Sequence, residues 1–581
     1  MHSNPTRRRV WVAPASVLAA LCLTLSACAA GGAGSAQPTT TGGASAATSV
    51  TPAPVPAGLE SFYGQKVSWK ACEGAESGDP FRCATVKVPL DYDDPSGPSI
   101  DLAVKKLPAA SGRPMGTLLV NPGGPGGSGV AYVSEAEYAF SDKLRQAYDI
   151  VGFDPRGVGA STPLTCLSPQ EIAERAEEAK QQGLVPQEEC ASVDKGQYSA
   201  EEAAESGRSA AAACETNSPV PRIIDHMDTE SVARDLDVLR GVSGDPRLNY
   251  LGVSYGTYLG ARYAELFPGN VGRMVLDSAV DPSLGLEQRA LEQAASIEET
   301  TRTYMASCMA AEGCPFTGSV DEGMAQLKDL IEKAKESPLA TRHEGVTVDG
   351  DSILGTVVDS MYDSSTWEQL TAALRPAVVD HDGSALLDLT DPPAPEGGDS
   401  EAAAQEEAQA AANEEAYSAV SCLDYPVEGD RASWDEYAAR ITEVAPTTGD
   451  GLGYSTAFCQ GWGRSATHTP AKITASGAAP ILVLGVTGDP ATPYAWSQAL
   501  ASQLESGRLV TLEGAGHGAY MRQSSCLNDA VDAYLLTGEL PAQGLRCTAD
   551  ESGGDAAQAG DGATAAPTGA ATPAPEDGPT T

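Results

Sequence analysis

Asn249-Tyr-Leu-Gly-Val-Ser254-Tyr-Gly256 is the stretch on which the fold turns. Its first five residues suit a buried strand, and residues 255–267 have the pattern of a helix. Between them, Gly252-Val-Ser-Tyr-Gly256 has the form G-x-S-x-G. A strand that runs directly into a helix must bend sharply within a residue or two. Small flanking residues permit the bend, which lifts the serine hydroxyl clear of the sheet at a helix N-terminus. The partial positive charge there favours a developing anion. The pattern alone is common in a chain rich in glycine and serine, so its setting gives it meaning.

Working outward, short apolar runs recur between helical stretches. Gly116-Thr-Leu-Leu-Val120 opens into Asn121-Pro-Gly-Gly-Pro-Gly-Gly-Ser-Gly129, and Asp149-Ile-Val-Gly-Phe153 into Asp154-Pro-Arg-Gly157. Residues 271–276, 480–486 and 508–512 supply later strands, and 85–88 and 100–104 the first ones. This alternation predicts an α/β fold, a mostly parallel sheet with helices on both faces. Residues 282–470 break the rhythm. Helical patterns cover 284–309, 321–336, 366–379, 401–420 and 433–444, which predicts an inserted, mainly helical lid. No lysine or arginine occurs from Pro376 to Asp430, while Asp388 to Glu415 carries nine acids. Most of that run is expected to be a solvated acidic surface.

A serine needs a base to become a nucleophile. Of six histidines, only His517 follows a late strand, in Glu513-Gly-Ala-Gly-His-Gly518. Its flanking glycines leave the loop free to carry the imidazole back over the sheet. A carboxylate must orient that imidazole, and Asp489 follows the run 480–486, between nucleophile and base in chain order. Ser254, Asp489 and His517 are therefore the catalytic candidates, in the Ser…Asp…His order of α/β-hydrolases. An oxyanion hole needs backbone N–H donors. Pro122 and Pro125 have none, so Gly124 is the expected donor from the early glycine loop, with the Tyr255 N–H as its partner. No Lys-Ser/Thr follows that loop, which excludes a phosphate-binding reading.

Taken together, these segments resemble a known family. Pro122-Gly-Gly-Pro-Gly126 resembles the H-G-G-P-G loop of proline iminopeptidase-like hydrolases, with Pro122 in place of the histidine. Asp154-Pro-Arg-Gly-Val-Gly-Ala-Ser161 is similar to their D-x-R-G-x-G-x-S loop. The proline at 122, Thr487-Gly-Asp-Pro-Ala-Thr-Pro493 and Gly516-His-Gly518 look most like the secreted actinobacterial tripeptidyl aminopeptidases. Two further points of similarity lie at 308–315 and 420–424, so the resemblance spans about residues 60–547. It implies an α/β-hydrolase fold and release of short peptides from free N-termini. Asp154 and Arg156 are expected to hold their loop rather than take part in chemistry. An exopeptidase must also anchor a charged amine, and a buried ammonium needs an anionic partner. Asp424 is the first candidate because Cys422 could pin it, followed by Glu414 and Glu415. A carboxylesterase using the same triad and a non-catalytic peptide-binding lipoprotein remain open alternatives.

The 581-residue chain carries a formal charge of -42, the wrong sign for nucleic-acid phosphates, and its 6% aromatic content argues against a base-stacking platform. Peptides are the expected partners, with no nucleic acid, metal or cofactor; the sequence leaves the oligomeric state open, a monomer being favoured. Arg7-Arg8-Arg9, the apolar residues 10–25 and Leu25-Ser-Ala-Cys28 read as an export signal ending in a lipobox, with Cys28 as the lipidation candidate. Membrane contact is expected only through that anchor. Organisation then follows composition. Residues 1–27 are the signal, 28–58 a tether and 59–281 the first part of the core. Residues 282–470 are the lid, 471–547 the second part of the core, and 548–581 a disordered acidic tail. Cys22 falls in the signal, which with Cys28 set aside leaves eleven of 13 cysteines, none in a C-x-x-C pair. In an oxidising compartment the nearest-neighbour pairs are Cys72–Cys83, Cys308–Cys314, Cys422–Cys459 and Cys526–Cys547; of the remaining Cys166, Cys190 and Cys214, the favoured pair is Cys166–Cys214 with Cys190 left over, a connectivity the sequence alone does not fix.

Overall fold

The computed structural model describes residues 54–550, apart from 76, 169, 172–198, 344, 391–399, 450–451 and 523. Contacts divide the chain into two units, Met1–Ala549 and Asp550–Thr581, and the description concerns the first. The signal segment with Cys28, the tether up to residue 53, Cys190 and the tail from residue 551 lie outside the described residues.

Ten strands form one sheet. They are β1 (Lys70–Ala71), β2 (Arg82–Pro89), β3 (Ser99–Leu107), β4 (Thr117–Asn121), β5 (Asp149–Phe153), β6 (Leu248–Val253) and β7 (Val271–Asp277), then, after a separate small hairpin of β8 (Leu339–Ala340) and β9 (Thr347–Val348), β10 (Ile481–Gly488), β11 (Gly507–Ala515) and β12 (Leu545–Thr548). Their spatial order is β1-β2-β3-β5-β4-β6-β7-β10-β11-β12. The pairs joining β1, β2, β3 and β5 are antiparallel, and every pair from β5 through β12 is parallel. The parallel strands read as continuous apolar runs because both of their faces are covered. Leu118, Leu119 and Val120 of β4 and Leu482, Val483 and Leu484 of β10 are all buried. The α/β-hydrolase expectation is met, and each strand anticipated from its apolar run is present. The two-residue β1 and the short β12 carry too few apolar residues to announce themselves.

Two glycines of the opening motif are there because backbone comes close. A Cβ on Gly252 would lie 2.3 Å from the Gly256 carbonyl oxygen, and one on Gly256 would lie 2.8 Å from the Asn121 carbonyl oxygen. Helix Tyr255–Leu266 can therefore press directly onto β4 and β6.

The segment between β7 and β10 is mainly helical, as expected, with helices at Leu286–Ala310, Val320–Glu336, Trp367–Val379, Ser400–Asp424 and Arg431–Val444. Helices Gly350–Met361, Ser384–Thr390 and Ser455–Trp462 and the β8–β9 hairpin are additions to the sequence reading. Helix Val320–Glu336 starts with a capping box in which Ser319 and Glu322 bond each other's backbone N–H. Five disulfides join Cys72–Cys83, Cys166–Cys214, Cys308–Cys314, Cys422–Cys459 and Cys526–Cys547. The last ties β12 to the helix behind the His517 loop across 21 residues, a closure worth about 3 kcal/mol in the chain-entropy model. Among the described residues no helix is long and apolar enough to cross a membrane.

Candidate active site

Ser254 has φ 57° and ψ -125°, a left-handed conformation that costs a non-glycine residue energy and persists only where its surroundings enforce it. Here they do. The Ser254 N–H donates to the Asp277 carbonyl oxygen at 2.9 Å, and its own carbonyl oxygen accepts the Thr257 hydroxyl at 2.6 Å. Helix Tyr255–Leu266 begins at the next residue, so its N-terminus faces the serine.

His517 and Asp489 meet as the sequence reading required. His517 Nδ1 lies 2.9 Å from Asp489 Oδ1 and 3.1 Å from Oδ2. Asp489 is fully buried. It also accepts the Ala491 and Thr492 N–H groups, at 3.0 and 2.9 Å. These donors satisfy the buried carboxyl oxygens. With Nδ1 engaged by Asp489, Nε2 is the imidazole nitrogen left available for proton transfer. Thr492 Oγ1 stands 3.0 Å from both Asp489 Oδ2 and the Ser278 carbonyl oxygen. The lid closes over this pair. Its Ser296 hydroxyl donates to the Asp489 carbonyl oxygen at 2.7 Å, and its Tyr362 ring packs edge-on against His517 at 5.3 Å. The His517 N–H donates to the Tyr362 carbonyl oxygen at 3.2 Å. Thr492 and Tyr362 were missed by the sequence reading; Thr492 lay inside a motif it had singled out, whereas nothing in the local sequence marks Tyr362.

The glycine loop after β4 reaches the nucleophile turn. A Cβ on Gly123 would lie 2.8 Å from Ser254 Cβ and 3.1 Å from the Tyr255 nitrogen. Neither the Gly124 nor the Tyr255 backbone N–H is taken by an acceptor among the described residues, which leaves both available to an oxyanion. Asp154 and Arg156 act as scaffolding, as expected. Asp154 accepts the Ser128 hydroxyl and the Val130 and Ala160 N–H groups, binding its loop to the glycine loop. Arg156 makes a buried two-pronged pair with Asp235, at 2.8 and 2.7 Å, and donates to the Leu90 and Pro89 carbonyl oxygens.

The amine-site candidates separate. Asp424 is only 1% exposed and accepts the Thr229 N–H at 2.8 Å and the Thr229 hydroxyl, which also contacts the Tyr255 hydroxyl. It braces the residue after the nucleophile from inside the protein and offers no surface to a substrate, so its placement as first candidate is corrected. Glu415 accepts the Cys166 N–H at 3.1 Å and anchors the Cys166–Cys214 region. Glu414 is different. It is solvent-accessible and has no ion-pair partner among the described residues, and the surrounding protein desolvates its carboxyl enough to raise its pKa. Its neighbour Asn413 touches the oxyanion loop: a Cβ on Gly126 would lie 2.4 Å from the Asn413 carbonyl oxygen.

Burial pushes the Asp424 carboxyl up to about 7, opposed by its bonds to Thr229. A folded-state pKa above the unfolded one means that the native state holds the proton more tightly. Stability from this group is therefore present at low pH and lost as pH rises toward and past about 7. Asp424→Asn keeps an acceptor for the Thr229 N–H and removes the titration. The melting temperature of the variant should fall less between pH 5 and pH 8 than that of the parent, with KM for peptide substrates unchanged. A raised KM would restore Asp424 to the substrate site.

Comparison with known proteins agrees with this arrangement. A family described as TAP-like protein matches residues 445–547, the segment holding Asp489 and His517. Serine protease Hip1 of Mycobacterium tuberculosis is 32% identical over 514 residues, covering 84% of this chain and 92% of that protein. Tripeptidyl aminopeptidase of Streptomyces lividans is 33% identical over 491 residues, 83% of this chain and 86% of that one. The chain belongs to the tripeptidyl aminopeptidase family of α/β-hydrolases. It is accordingly a serine hydrolase. The family also includes a Mycobacterium tuberculosis protein named carboxylesterase B, 33% identical over 83% of this chain and 89% of its own length.

Proposed function

We propose that this chain is an exported serine exopeptidase that releases tripeptides from the free N-termini of peptides through an acyl-enzyme. The observation that carries the reading is the Asp489–His517 pair, joined through the sheet to a strained Ser254 turn beside two free N–H groups. Ser254 Oγ attacks the scissile carbonyl carbon while His517 Nε2 takes its proton. Asp489 holds the imidazole and stabilises it once charged. The Gly124 and Tyr255 N–H groups receive the oxyanion. The leaving amine departs with the proton from His517, and water then enters by the reverse route to free the peptide and regenerate the serine.

Glu414 is the proposed anchor for the substrate's ammonium group, being an accessible carboxylate beside the oxyanion loop. Export is supported by residues 1–28 and by the five disulfides, which persist in oxidising compartments. The mature enzyme would sit on the outer face of the membrane through Cys28 or be secreted. Hydrolysis of small carboxylic esters is the second reading, favoured by the carboxylesterase among the relatives.

Steady-state kinetics on a tripeptidyl p-nitroanilide and its N-acetylated form separate these readings. The free-amine substrate should be cleaved and the acetylated one spared. Glu414→Gln should raise KM for the free amine roughly tenfold, the loss of one charge-assisted contact, with a smaller effect on kcat. Equal cleavage of both substrates would favour the esterase reading. An unchanged KM in Glu414→Gln, with the amine requirement intact, would move the anchor to another lid acid.

A further inference from the structure

The carboxyl end of β7 carries a dipeptide that no step above uses. β7 lies between β6, which leads into Ser254, and β10, which leads into Asp489. Asp277 pairs in register with Val253 on one side and Leu484 on the other. Three catalytic segments converge on it. Its carbonyl oxygen accepts the Ser254 N–H at 2.9 Å. Its carboxylate accepts the Ala519 N–H, at 2.8 and 3.0 Å to the two oxygens, and the Tyr520 N–H at 2.8 Å. Ser278 completes the set: its hydroxyl oxygen accepts the Gly518 N–H at 2.8 Å, and its carbonyl oxygen lies 3.0 Å from the Thr492 hydroxyl that touches Asp489. Successive N–H groups of the loop just after His517 thus all end on these two side chains.

The choice of residues is costly without a role. Asp277 is 1% exposed and forms no ion pair among the described residues, so its carboxylate is held by backbone N–H groups alone. A buried carboxylate is expensive unless such donors satisfy it. Ser278 is fully buried and takes φ 55°, a left-handed conformation unusual for a residue with a side chain. Structural tethering of a loop could be met by neutral groups. A charged acceptor that grips one catalytic loop by its side chain and another by its main chain fixes their relative position.

We propose that Asp277 and Ser278 are positioning residues that set the His517 imidazole against Ser254, and that the Asp277 charge also favours the protonated imidazole formed during catalysis. This rests on the serine-hydrolase reading of the site. The other groups facing this pocket are Arg522, whose guanidinium donates to the His517 carbonyl oxygen at 2.5 Å, Tyr132 from helix Gly129–Ser134, Tyr362 and Asp363 from the lid, and Asp489. Removing the Asp277 charge leaves Arg522 less offset, so both changes disfavour a second positive charge on the histidine. An anion near an imidazolium stabilises it, and losing that anion lowers the pH at which it forms.

The test is the rate of covalent labelling by a fluorophosphonate probe against pH, which needs no knowledge of the natural substrate. The parent, Asp277→Asn and Ser278→Ala are compared, with Ser254→Ala as the blank and circular dichroism reporting the folded fraction. In Asp277→Asn the plateau rate should fall roughly 10- to 100-fold, the scale of a small misplacement of reacting groups. Its acid limb should move to lower pH. Ser278→Ala should lower the plateau with the limb in place, since it removes a neutral acceptor, and it decides the positioning claim if Asp277→Asn does not fold. A folded Asp277→Asn that labels within twofold of the parent along the same pH curve would overturn the proposal, as would an unaltered plateau in Ser278→Ala. A parent that resists the probe, or a labelled Ser254→Ala, would overturn the serine-hydrolase reading itself and the positioning role with it.

Discussion

Ser254→Ala is expected to abolish peptide hydrolysis, with kcat falling by about 10⁶, while the purified protein keeps its melting temperature within a few degrees. The size follows from the way such a unit works. Without the hydroxyl no acyl-enzyme forms, and the base and oxyanion donors have nothing to act on except water. Stability is spared because the side chain is small and the turn is held by main-chain bonds, from Ser254 N–H to Asp277 and from Thr257 to the Ser254 carbonyl oxygen. Alanine also relieves nothing at φ 57°, so neither a large gain nor a large loss of stability is expected. Residual turnover must be judged against trace contamination by parent enzyme. Near-parental turnover from protein shown by mass to be homogeneous would remove Ser254 from the mechanism.

Asp489→Asn is expected to cost about 10⁴ in kcat and to leave KM nearly unchanged. The carboxylate accepts from His517 Nδ1 and from the Ala491 and Thr492 N–H groups. An amide of the same shape keeps an acceptor for part of that set. It also places an N–H₂ group where an anion stood, which stabilises the tautomer with Nδ1 unprotonated. The imidazole then presents an N–H to Ser254 rather than a lone pair, and the base is lost. Thr492 cannot replace the charge, since its hydroxyl is shared with the Ser278 carbonyl oxygen. Rate and KM measured on the same free-amine substrate decide the matter. A rate within tenfold of the parent would mean that another carboxylate orients His517.

The sheet was legible because its strands are buried on both faces and therefore spell themselves out as apolar runs, from Leu118 in β4 to Leu484 in β10. The catalytic candidates were legible because each sits at the end of such a run and their chain order matches one known arrangement. What stayed hidden depends on tertiary hydrogen bonds between distant residues. Asp277 lay just past the apolar run 271–276 with nothing local to mark it, and its bonds to Ala519 and Tyr520 span more than 200 positions. Asp424 shows the opposite error. Beside Cys422 in an acidic lid it looked pinned and available to a substrate amine, yet the Cys422–Cys459 bridge and Thr229 hold it inside, where it supports Tyr255. Composition does not distinguish a carboxylate turned inward from one turned outward. Glu414 and Glu415 are adjacent in sequence and differ in the same way, one accessible and one tied to the Cys166 backbone.

The central claim is that this site counts residues from a charged chain end. A digest of one defined peptide of about a dozen residues, supplied with a free or an acetylated N-terminus and followed over time by mass spectrometry, tests it most directly. The account predicts sequential loss of three-residue units from the free peptide, no cleavage of the acetylated one, and no products at all from Ser254→Ala. Internal cleavage of the acetylated peptide, or an enzyme that leaves both peptides intact while hydrolysing simple esters, would contradict it.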